Sequence, residues 1–176
     1  MKKILSGLLL ITATTGFWSC KDGIDYEKLR REELATLKEY IDRVHPGAEP
    51  TASGLYYFNE EGTGSGDTIK LGDQVQIYYA TWALYTADDS VLVDQTSGYL
   101  DGYRYEPFSF YVGAGSTISG LEEAIQYMQP GTRSHLVINS ELAYGQNGSG
   151  TIGMFQTVLM EVEVYKVVPF QTESTE

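Results

Sequence analysis

Gly120-Leu121-Glu122-Glu123-Ala124-Ile125-Gln126-Tyr127-Met128-Gln129-Pro130-Gly131 is the stretch where a chain otherwise built of strand-like runs changes its period. Leu121, Ala124, Ile125 and Met128 recur at the three-and-four spacing of one helical face, and Pro130-Gly131 stops the run. On either side lie strand patterns at Gly54–Phe58, Gln74–Leu84, Val91–Asp94, Phe108–Val112, Ser134–Ile138 and Thr157–Val167, separated by Gly-rich or polar turns such as 61–67 and 87–90. In the last strand Val158, Met160, Val162 and Val164 share one face, while Leu159, Glu161, Glu163 and Tyr165 share the other. One short helix among strands of this kind predicts an α+β fold, a bent antiparallel sheet wrapped around that helix.

Composition agrees with a single β-rich domain. The 176 residues include 14 Tyr and 19 Gly, with 42% apolar and 20% charged residues. The formal charge is −12. It becomes −14 without residues 1–19, a stretch that holds Lys2 and Lys3 and no acid. Nucleic acid is excluded as an expected partner, because binding it needs a basic face to neutralise phosphates. The acidity serves solubility or attracts basic unfolded chains.

Met1-Lys2-Lys3, the apolar run Ile4–Ile11 and the small residues before Ser19-Cys20 have the order of a secretory signal peptide over 1–19, too short in its apolar part to span a bilayer. Cys20 is the only cysteine, so an intramolecular disulfide is impossible. Its position resembles a bacterial lipoprotein processing site, although Trp18 and Phe17 are bulkier than such sites usually carry. Lipidation of Cys20 and a lipid-anchored place in the bacterial cell envelope, periplasmic or on the outer surface, are therefore expected. An ordinary cleaved signal or a free thiol is the alternative.

Residues 20–50 contain a second helical pattern. From Ile24 to about Val44, Leu34, Leu37, Ile41 and Val44 fall at helical spacing among charged residues. The helix is a spacer from the membrane, a dimerisation element or a helix packed on the domain. His45-Pro46-Gly47 stops it, so the main domain is expected over 51–170, with a frayed polar tail at 171–176.

Several phrases in order across residues 54–168 resemble the FKBP family of prolyl isomerases. They are Gly72-Asp73-Gln74-Val75-Gln76-Ile77-Tyr78-Tyr79, Val93-Asp94, Pro107-Phe108-Ser109-Phe110-Tyr111-Val112-Gly113, Ile118-Ser119-Gly120-Leu121-Glu122-Glu123-Ala124, Gln129-Pro130-Gly131 and Leu142-Ala143-Tyr144-Gly145. The resemblance implies a half-barrel with an N-terminal helical extension, a peptidyl-prolyl cis-trans isomerase acting on proline-containing polypeptides, and no cofactor. It also implies a pocket whose catalytic positions are Tyr79, Asp94, Phe108, Ile118 and Tyr144, with Val93, Thr117, Leu121, Ile152 and Met160 binding substrate. Leu121 stands where the family usually has Trp, Val93 where it has Phe, Thr117 where it has a larger aliphatic and Met160 where it has an aromatic. A wider or shallower pocket with reduced activity is expected from these changes. Assistance to the folding of exported proteins is the implied role, and a non-catalytic binding module of an envelope assembly is the rival.

Taken without the resemblance, Phe108 and Phe110 would both be core residues, since they lie two apart on one strand. Asp94 alone reads as a turn or capping residue, and Tyr144-Gly145 as a turn. His45 and His135 have no Cys or His at ligand spacing, so no metal site is expected. The glycines at 145, 148, 150 and 153 form either a moving loop over the pocket or an ordered turn.

Overall fold

The structure, a computed structural model, describes residues 23–62, 64 and 66–171. The expected signal peptide, Cys20 and the tail 172–176 lie outside the described residues. Helix α1 spans Tyr26–Val44, and strands β1 to β4 span Tyr56–Glu61, Gln74–Thr86, Asp89–Gln95 and Phe108–Tyr111. Helix α2 (Ser119–Ile125), β5 (Arg133–Ile138) and β6 (Val158–Val168) complete the fold. The strands form one sheet in the order β1-β5-β6-β2-β3, and every pair is antiparallel. β4 also pairs with β2, through residues 74–77, whereas β3 pairs with residues 80–86 of the same strand. The sheet thus changes partner midway along β2.

One face of the sheet curves around α2. Val75, Ile77, Phe110, Leu136, Val158, Val162 and Val164 pack with Leu121, Ala124, Ile125 and Met128 into the main core. The α-helical hydrogen bonds stop earlier than the apolar spacing suggests. Tyr127 and Met128 bond to carbonyls three residues back, and this tighter turn still buries Met128. Gly120 permits the approach: a Cβ there would stand 2.4 Å from Ile138 Cγ2.

The other face is covered by α1, the third of the readings open for that helix. Asp25 caps its start by accepting a hydrogen bond from Lys28 N (2.9 Å). Leu37, Tyr40 and Ile41 pack against Leu84, Ala87, Val137 and Leu159. The apolar stripe expected from the sequence needs correcting here. Leu34 and Val44 are exposed (43% and 41%), whereas Glu33 and Tyr40 face the sheet.

The C-terminal end of α1 brings the two histidines together. His45 stacks on Phe58 with ring centroids 3.8 Å apart and lies 5.8 Å from His135, which pairs with Phe58 across β1 and β5. Burial, then the neighbouring His45, pull the His135 imidazole below its ordinary range, against a smaller opposing pull from Glu161. The depressed value makes His135 contribute stability above the unfolded-state pKa of about 6.5, lost as pH falls below it. The urea midpoint should therefore drop between pH 7.5 and 5.5, and His135→Gln should flatten that drop. An unchanged slope in the variant would rule the histidine out as its source.

Candidate active site

The site lies where β2 changes partner, on the α2 side of the sheet. Tyr79 and Thr81 point into it from β2, two residues apart on the face that carries Val75 and Ile77 deeper in the core. In the β2–β3 ladder, Thr81 opposes Asp94 and Trp82 opposes Leu92, so Val93 is the extra residue of a bulge. Bulges re-aim neighbouring side chains. Here the Tyr79 hydroxyl donates to Asp94 Oδ2 at 2.6 Å. Thr96 fixes this corner by accepting from Tyr79 N through its hydroxyl (3.1 Å) and donating its own N–H to the Tyr79 carbonyl (3.0 Å).

The remaining walls come from other elements. Phe108 opens β4, meeting Tyr79 edge-on at 5.9 Å and stacking on Phe110 at 5.6 Å. Ser116, Thr117 and Ile118 precede α2, and that loop is tied to the helix by Gly113 N donating to Glu122 Oε2 (2.7 Å). Leu121 from α2 and Met160 from β6 are deep lining residues at 3% and 4% exposure. Tyr144 comes from the turn after β5, where Ser119 Oγ donates to the Leu142 carbonyl and binds turn to helix. Together these residues enclose a cavity of about 260 Å³.

Eight of the residues expected from the sequence line this cavity: Tyr79, Asp94, Phe108, Thr117, Ile118, Leu121, Tyr144 and Met160. Val93 and Ile152 are not among the lining residues; Ile152 belongs to the main core beside the cavity, and Val93, at the bulge, packs against that core. Thr81 and Ser116 line the cavity without having been singled out. Strand alternation could have found Thr81, two residues after Tyr79 on the same face. Phe108 and Phe110 part ways: Phe110 is buried and Phe108 is 37% exposed at the cavity. The glycine turn is ordered by its own bonds, with Ser149 and Ile152 exchanging both backbone hydrogen bonds.

Electrostatically the site is built to hold protons. Burial first, then the Asp94 hydrogen bond and charge, push the Tyr79 phenol well above its ordinary range. Burial first and then Asp94 push Tyr144 the same way. Both phenols are donors at neutral pH. An apolar wall with the Tyr144 hydroxyl as a donor, and with the Tyr79 proton committed to Asp94, can enclose a polar, planar group and bond one of its carbonyls. Among the described residues there is no group of three or more His, Cys, Asp or Glu side chains able to hold a metal ion.

A model of FKBP-type peptidyl-prolyl cis-trans isomerases matches residues 66–165, more than half the chain. A FK506-binding protein of Streptomyces anulatus is 32% identical over 105 residues, covering 60% of this chain and 77% of that protein. The FKBP-type isomerase FkpA of Aeromonas hydrophila is 29% identical over 147 residues. That alignment takes in 84% of this chain but about half (48%) of FkpA. The crystal structure of a peptidyl-prolyl cis-trans isomerase from Pseudomonas syringae superposes with a TM-score of 0.66 at 25% identity, over 84% of this chain and 98% of that one.

Proposed function

Because the chain belongs to the FKBP-type peptidyl-prolyl cis-trans isomerase family, we propose that it accelerates rotation about X-Pro bonds and thereby assists the folding of proteins exported to the bacterial cell envelope. The carrying observation is the apolar cavity in which Tyr79 and Asp94 are joined at 2.6 Å beside Phe108, Leu121, Met160 and Tyr144. A prolyl amide resists rotation by roughly 18–20 kcal/mol because twisting destroys its resonance. The twisted amide carries less charge separation than the planar one. An apolar enclosure therefore disfavours the ground state more than the transition state, and the difference is catalysis.

In this reading Phe108, Ile118, Leu121 and Met160 enclose the prolyl ring. Tyr144 and the Ile118 backbone N–H hold substrate carbonyls, and Asp94 orients Tyr79 at the wall facing the twisting bond. Asp94→Val should lower kcat/KM about tenfold, which corresponds to ~1.4 kcal/mol of lost transition-state stabilisation. An unchanged rate in a folded variant would remove Asp94 from the mechanism.

The same reading places the protein on a membrane through a lipid on Cys20, with 1–19 removed as a signal peptide. No helix among the described residues is long and apolar enough to cross a membrane. Labelling cells with a radioactive fatty acid, with and without Cys20→Ala, tests the anchor: the label should be lost with the cysteine.

The activity is tested with the full chain in detergent, by following cis-to-trans conversion of X-Pro peptides and the refolding of a proline-limited protein. Acceleration of both supports the isomerase. Binding of such peptides without acceleration supports a non-catalytic module, the reading favoured by Leu121 and Met160 standing where the family resemblance implies aromatic rings.

A further inference from the structure

We propose that Glu33 on α1 is a positioning residue for the pocket: its carboxylate staples the two ends of the loop between β5 and β6 and so holds Tyr144 at the cavity. Glu33 Oε1 accepts from Ser140 N (2.6 Å), where the loop begins, and from the Thr157 hydroxyl (3.0 Å), where it ends. Its Oε2 accepts from the Ser140 hydroxyl (2.7 Å) and from Arg30 Nη1 (2.5 Å). The side chain is only 2% exposed.

A carboxylate withdrawn from water is tolerated only where donors fill its oxygens, and here four do. A helix–sheet contact made for stability alone needs no such group, because Leu37, Tyr40 and Ile41 already supply an apolar one. What the carboxylate adds is a link between Ser140 and Thr157.

The segment between those ends is held elsewhere by Ile152 in the main core, by Ser119 Oγ on the Leu142 carbonyl and by Gln156 Nε2 on the Leu84 carbonyl. Its remaining order comes from local bonds: Gly145 N to Ser140 O (2.8 Å), Phe155 N to Gly145 O (3.0 Å) and the Ser149–Ile152 pair. Three glycines within it, 145, 148 and 150, have positive φ. Phe155 does too, at 48°, the one non-glycine residue to do so among those described. A side-chain-bearing residue in that region must be held there by its surroundings. α1 supplies this as well, since Tyr26 lies against the Phe155 ring with centroids 6.0 Å apart. Arg30 reaches from the same helix to Glu141 (2.8 Å).

The test uses the full chain and three variants, Glu33→Ala, Thr157→Val and Leu37→Ala. It reads backbone amide exchange across 141–156 and separate kcat and KM values on an X-Pro peptide. Its kinetic arm rests on the isomerase reading, whereas the exchange arm does not. A loop ordered about one tenth of the time raises apparent KM about tenfold and leaves kcat nearly unchanged, because bound substrate restores the order. Glu33→Ala should show that split together with faster exchange in 141–156. Thr157→Val should change both in the same direction by less, and Leu37→Ala should lower the unfolding midpoint while moving neither. Exchange and KM in Glu33→Ala that match Leu37→Ala overturn the proposal. Should Glu33→Ala fail to fold, unchanged exchange in Thr157→Val overturns it equally. A wild-type chain without isomerase activity defeats the proposed function, and the exchange comparison still decides the clamp.

Discussion

Deletion of residues 1–50 is expected to cost roughly 5 kcal/mol of unfolding free energy, a large part of the ~5–15 kcal/mol typical of a domain. Leu37, Tyr40 and Ile41 are each at most 9% exposed against the outer face of the sheet. Burying such side chains is worth about 1.5–3 kcal/mol apiece, so these three alone account for a loss of this size. The loss is compounded on the other side of the contact, where Leu84, Val137 and Leu159 would meet water beside Phe58 and Trp82. An exposed apolar face of this kind also favours self-association. Urea unfolding of the full chain and of residues 51–176 is the comparison to make. Equal midpoints would mean that α1 rests on the domain without stabilising it.

Phe108→Ala should reduce kcat/KM about 30–100-fold, or ~2–3 kcal/mol of transition-state stabilisation. The ring is a cavity wall, holds Tyr79 edge-on and stacks on Phe110. Its removal admits water to the region where the amide must be desolvated and frees Tyr79 to rotate. Because enclosure acts on the twisted state, kcat should fall and not KM alone. Stability should change much less, since 37% of Phe108 is already exposed. A folded variant within threefold of wild type would mean that the enclosure is made elsewhere in the cavity.

Most of this architecture was legible because strand alternation and the period change at 120–128 are local signals. The inner faces of β2 and β6 follow directly from them. The failures share a physical cause, which is that distant partners decide orientation. Glu33 is one charged residue among several in the α1 pattern, and its burial is decided by Ser140 and Thr157, 107 and 124 residues away. The α1 stripe was misjudged for the same reason, because Tyr40 rather than Leu34 or Val44 finds an apolar surface. His45 and His135 meet only because β1 pairs with β5 and the end of α1 settles on Phe58. At the cavity, Val93 lies at a bulge and, like Ile152, packs with the main core beside the lining residues.

The packing of α1 also sets an order of events while the chain is being made. α1 emerges first, yet the surface it covers is completed only when β5 and β6 exist, roughly a hundred residues later. A helix of 19 residues with a mixed apolar and charged surface has little stability of its own in water. It must therefore wait, unfolded or loosely formed, until the C-terminal third is present, since such long-range contacts close last. A nascent chain halted before residue 157 has no finished seat for this helix and no Thr157 to close the loop that carries Tyr144. Completion of the last strand is thus the step at which the protein's own fold and its binding pocket become whole together.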